Sequence, residues 1–134
     1  MIGIWSAHSQ AFLLVATVLS AIGLSLPIFL TPLAWARRFG WTIPEHTDLA
    51  VYFGRSLGAL AVTINLLTLR AALTGEALVP AFEVTLVVSL LMVAVHVYGA
   101  VRRVQPVSET IEIGFWAAIA LLALACWPAA CFRS

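Results

Sequence analysis

"PAFEVTLVVSLLMVAVHVYGAVRR", residues 80–103, is the stretch whose reading decides the fold. It opens on Pro80, which suits a first helical turn because that position needs no backbone donor. A nearly unbroken apolar run to about Val101 follows, and the pair Arg102 and Arg103 closes it. About 20 apolar residues rising 1.5 Å each cross the roughly 30 Å hydrocarbon core of a bilayer. The stretch therefore reads as a membrane-spanning helix, since a segment in lipid has to satisfy its own backbone hydrogen bonds.

Three further stretches pass the same test, placing spans at about 10–30, 48–73, 80–101 and 108–127 of one transmembrane domain, 1–134. Pro27 and Pro32 mark the end of the first, because a proline ring removes a helix donor. Thr47 or Asp48 is the expected cap of the second and Gly75 its stop. The fourth starts after Pro106, with Ser108 as a capping candidate, and ends before Pro128. The expectation is an all-α polytopic membrane protein, a bundle of four transmembrane helices. Composition agrees: 63% of the 134 residues are hydrophobic and 10% charged, the mean hydropathy is +1.06, and soluble domains carry about 25% charged residues. The small-x-small pattern Ala34-Trp35-Ala36 resembles a signal cleavage site. No basic residue precedes the apolar stretch, however, and the stretch is too long for a signal core, so a retained span is expected.

Arginine placement sets the expected orientation. Arg37 and Arg38 fall between spans one and two, Arg102 and Arg103 between three and four, and the other face has only Arg70 and Arg133. The positive-inside rule then puts both double-arginine loops in the cytoplasm and both termini outside. Trp5 and Trp127 fall near one boundary, and Trp35, Trp41 and Trp116 near the other, as aromatic belts require. The expected location is a bacterial inner (plasma) membrane. A net charge of +1 with no lysine leaves no basic patch for nucleic acid. The expected partners are membrane lipids and other membrane-protein subunits.

The ionisable residues inside the spans are the candidates for function. Arg55 lies seven residues into span two, on the order of 10 Å from the boundary, which is within snorkelling reach of the headgroups. Gly54 and Gly58 flank it and form a small-xxx-small face suited to a close helix contact. His96 and Glu112 share its depth, so Arg55, His96 and Glu112 are expected to form an interhelical polar layer, with Glu112 pairing to Arg55. That layer either pins the bundle or holds a ligand such as a quinone or a lipid headgroup. Glu83 reads as a charge complementing a helix N-terminus, and Asn65 is the deepest strongly polar side chain. Without a carboxylate near the midplane, the pattern of a proton-coupled exporter is missing.

His8 belongs to one side of the bilayer and His46 and His96 to the other, so His8 and His96 cannot both ligate one haem iron, neither belongs to an obvious ligand cluster, and no metal site is expected. "CWPAAC", residues 126–131, permits a disulfide between Cys126 and Cys131 in an oxidising exterior, two free thiols being the alternative. Nucleotide-binding, hydrolase, zinc-protease and deaminase motifs do not occur, and no catalytic residue is assigned.

The stretch "ARRFGWTIPEHTDLAVYFGRSLGALAV", residues 36–62, resembles the middle of small four-helix membrane proteins of the DoxX-like kind. There a phenylalanine-glycine pair and a proline precede a helix carrying an arginine followed by small residues, here Phe39, Gly40, Pro44, Arg55, Gly58 and Ala59. The resemblance implies the four-span plan and, from some relatives, an association with membrane redox systems and quinone chemistry. It carries over no catalytic residue. The leading functional expectation is a non-catalytic accessory, assembly or stabilising subunit of a larger membrane complex. A quinone- or lipid-binding redox component and a small transporter are the alternatives, and no cofactor is required by the residues themselves.

Overall fold

A computed structural model describes residues 2–129 of the chain. A 3-10 turn, Ser6–His8, leads into α1 (Ser9–Ser20), a π-helical turn (Ala21–Ser25) and α2 (Leu26–Leu30); α3 (Pro32–Arg38), α4 (Asp48–Thr74), α5 (Leu78–Arg102) and α6 (Val107–Ala125) follow. No strand occurs among the described residues. Four helical stretches are long and apolar enough to cross a membrane: Ser6–Leu30, Asp48–Thr74, Leu78–Arg102 and Val107–Ala125. The first begins ahead of the expected start at residue 10, and α6 stops at Ala125 rather than at Trp127. The protein is an all-α, four-helix membrane bundle.

Local chemistry explains the helix ends. Gly75, at φ 76°, closes α4 and donates to the Ala71 carbonyl, as a left-handed glycine cap does. At the end of α5 the left-handed position is taken by Arg103, at φ 54°. Its N–H reaches the Ala100 carbonyl while Val104 reaches that of Gly99, both at 3.1 Å, which is the paired bonding of a Schellman motif. Pro27 does not end the first span. A π turn precedes it, in which the Leu26 N–H bonds to the Ala21 carbonyl five residues back, and the Gly23 carbonyl within that turn accepts from Trp35 Nε1 at 3.1 Å. The helix breaks instead at Thr31, at φ −138° and ψ 60°, just before Pro32.

The helices pack as two pairs. The first span lies along α4 and α5 lies along α6, with α1 bridging the pairs. At the Gly75 end an apolar core forms around Phe82, which is fully buried among Leu13, Ala71, Ala72, Ala81 and Ala123. The N-terminal segment closes that end: Gly3 and Trp5 donate to the carbonyls of Leu124 and Ala125, the last of α6, at 2.9 and 2.8 Å. These are carbonyls a helix end cannot satisfy itself. In the middle of the bundle the contacts between the first span and α4 turn polar: Thr17 donates to Thr68 at 2.9 Å, and Asn65 donates to the buried Ser25 hydroxyl at 2.7 Å. Large apolar side chains such as Leu19, Ile22, Leu60, Leu66, Leu91 and Leu121 point outward, which suits a surface covered by hydrocarbon.

Candidate functional site

The double-arginine end holds the ionisable cluster. Three segments assemble it: the last third of α5, the first turns of α6 and the loop after α3. The α5–α6 connection is tied down by Gln105, whose amide donates to the His96 carbonyl at 2.9 Å and to Thr110 Oγ1 at 3.1 Å. Gly99 makes room for it, since a Cβ there would collide with the Gln105 side chain. The loop after α3 is held to α6 by the Ser108 hydroxyl, which donates to the Phe39 carbonyl. Gly40, at φ 83°, lets the chain turn beside Pro106.

These anchors bring His96 to Glu109 and Glu112. Glu109 and Glu112 are three residues apart and so share one face of α6, turned toward α5. His96 is 3% exposed and Glu109 7%. His96 Nε2 lies 3.1 Å from Glu109 Oε2 and 3.4 Å from Glu112 Oε2, yet it makes a hydrogen bond to neither. The other ring nitrogen, Nδ1, is 2.7 Å from the Met92 carbonyl one turn back. A carbonyl only accepts, so Nδ1 carries a proton and donates to it, which leaves Nε2 as the ring atom turned toward the two carboxylates.

Two indoles hold the carboxylates in place. Trp41 Nε1 donates to Glu109 Oε1 at 2.8 Å, and Trp116 Nε1 donates to Glu112 Oε2 at 3.2 Å. Trp116 is buried, whereas Trp41 is 37% exposed and forms the outer wall. Arginines take no part: among the described residues the one ion-pair partner of Glu109 and Glu112 is His96.

The other residues singled out from the sequence lie elsewhere. Arg55 is exposed and lines a shallow groove on α4 with Asp48, Val51, Tyr52, Ser56 and Ala59. It is not paired with Glu112, because the two project from different sides of the bundle. Thr68 and Ala71 face α5 across a gap lined by Pro80, Ala81 and Val84, and at 100° per residue Arg55 leaves α4 on roughly the opposite side. Gly54 and Gly58 do face neighbouring helices: a Cβ on Gly58 would overlap the Phe29 backbone, and one on Gly54 would overlap Pro32. Glu83 is exposed and lies beyond the first turn of α5, too far along to cap it. Cys126 is buried, and the Cys126 to Cys131 bridge lies outside the described residues.

Sequence reasoning found His96 and Glu112 but passed over Glu109 and the two indoles. A usable signal was present in "SETIE", residues 108–112, where two glutamates at helical spacing share a face. Comparison of the chain with protein-family models, with curated proteins and with solved structures finds no match.

Proposed function

We propose that this protein is a non-catalytic subunit of a larger membrane complex, acting as an accessory or assembly factor through its helix surfaces. The observation that carries this reading is Arg55, exposed on the side of α4 turned away from the α5–α6 pair. Tyr52, Ser56 and Thr63 lie on the same outward face and are partly or fully exposed. A stripe of this kind at membrane depth is costly against lipid and favourable against a partner helix that offers carboxylates or carbonyls to the guanidinium. The resemblance to DoxX-like proteins supports the same four-span plan. The setting that suits helical spans with paired arginines in two short loops is a bacterial inner (plasma) membrane, with those loops in the cytoplasm and both termini outside.

Photo-crosslinking amino acids placed at Tyr52 and at Ser56 in native membranes test the proposal, with Leu90 on the outward face of α5 as the comparison site. The expected result is a reproducible protein adduct from Tyr52 and Ser56 that Arg55→Ala reduces several-fold and that Leu90 does not give. Adducts to lipid or quinone alone at all three positions would remove the subunit reading.

A further inference from the structure

The buried triad His96, Glu109 and Glu112 does more than join two helices: we infer that it is a binding site for one divalent first-row transition-metal ion. The three side chains each offer one potential ligand atom, and those atoms lie within 4.8 Å of one another. Nδ1 is committed to the Met92 carbonyl, so Nε2 is the ring atom that faces the Oε2 atoms of two carboxylates with no arginine beside them. A buried nitrogen aimed between two carboxylates, with a hydrogen bond to neither, is an arrangement that a cation resolves.

The geometry suits such an ion. A metal with bonds of about 2.0–2.2 Å spaces its ligand atoms roughly 3.0–3.5 Å apart in octahedral or tetrahedral coordination, and the Nε2 to oxygen separations are 3.1 and 3.4 Å. One imidazole nitrogen with two carboxylate oxygens selects the class that includes Zn²⁺, Mn²⁺ and Fe²⁺, because thiolate-seeking Cu⁺ lacks its ligands and Mg²⁺ or Ca²⁺ prefers oxygen alone. Charge agrees as well, since two carboxylates and a divalent ion sum to zero, the state that costs least in a low-dielectric interior.

The surrounding shell is that of a metal site. The His96 Nδ1–H is bonded to a backbone carbonyl, which orients the ring, and each carboxylate is fixed by an indole N–H. Coordination would clamp α5 to α6 at the arginine end, far from the apolar core around Phe82, so the ion acts as a structural bolt.

The test uses the full chain in detergent micelles, stripped with chelator and dialysed against Zn²⁺ or Mn²⁺. Metal analysis is expected to find one ion per chain, and the thermal unfolding midpoint is expected to rise with ion concentration as mass action requires. Co²⁺ is expected to give a ligand-field spectrum that Zn²⁺ displaces. Glu109→Gln and Glu112→Gln, which preserve shape, and His96→Gln are each expected to weaken binding at least 10-fold. Trp41→Phe, which removes only a supporting hydrogen bond, is expected to weaken it by about 10-fold. Glu83→Gln, on the surface, leaves it unchanged. Substoichiometric metal, or equal binding by the wild type and by Glu109→Gln and Glu112→Gln variants that retain the helical circular dichroism of the wild type, overturns the inference and leaves a proton as the occupant of the triad.

Discussion

At the scale of single residues, the decisive feature is where a side chain's last hydrogen bond goes. Trp41 reaches across from the loop after α3 to place its N–H on Glu109 Oε1, and a bond to a buried carboxylate contributes about 1.5–3 kcal/mol. Trp41→Phe keeps the ring and deletes the donor. It is expected to lower stability by about that amount, read as a lower unfolding midpoint in detergent. Gly58 offers the opposite kind of constraint, since any Cβ there meets the Phe29 backbone. Gly58→Ala is expected to cost about 1–3 kcal/mol through forced separation of α2 and α4. Gly23, with open space around it, serves as the comparison: Gly23→Ala is expected to be neutral or slightly stabilising in the same unfolding measurement. His96 and Glu112 were legible as a pair at common depth, because counting residues from the arginine loops measures depth. Arg55 was legible as a charge at that depth but not as an outward-facing one, because depth says nothing about the angle at which a side chain leaves its helix.

At the scale of elements, the first span and the end of α5 depart from regular helix for opposite reasons. The π turn at Ala21–Ser25 lets the chain pass Pro27 and delivers Ser25 to Asn65, so the irregularity is used in a contact. Asn65→Ala removes the donor and is expected to cost about 0.6–1.7 kcal/mol, the range for interhelical hydrogen bonds in membranes; a double-mutant cycle with Ser25→Ala checks that the loss belongs to this pair. Arg103, in contrast, sits in the left-handed region, where a side chain costs about 1–2 kcal/mol. Arg103→Gly is expected to recover about 1 kcal/mol in micelles, measured by thermal unfolding, where no membrane potential or insertion machinery reads the lost charge. Prolines and glycines marked most helix ends from sequence, because they act on the backbone locally. The passage through Pro27 escaped that rule, since the π turn before it is tied by the indole of Trp35, which donates to the Gly23 carbonyl twelve residues back.

At the scale of the whole molecule, the bundle is graded along its length: an aromatic and alanine core at one end, hydroxyl and amide contacts in the middle, and the His96, Glu109 and Glu112 triad at the other. Four antiparallel spans put both double-arginine loops on one face. The proposed orientation makes a definite prediction in a background lacking Cys126 and Cys131. A cysteine at Glu45 is expected to resist an impermeant maleimide applied to intact cells, and one at Glu76 is expected to be labelled; the reverse pattern would invert the bundle.

The sequence by itself determined the class of this protein, the number of spans and their approximate limits, because the cost of exposing a backbone to lipid is paid residue by residue and is written in composition. Only the tertiary structure decided which polar groups share a site. Glu109 reads locally as one more acidic residue in the first turn of a helix, and Trp41 reads as an interfacial anchor. They become partners, and neighbours of His96, through the Gln105 clasp, the Ser108 bond to Phe39 and the rotation of α6 against α5. Those are angles between helices, set by packing across the whole bundle.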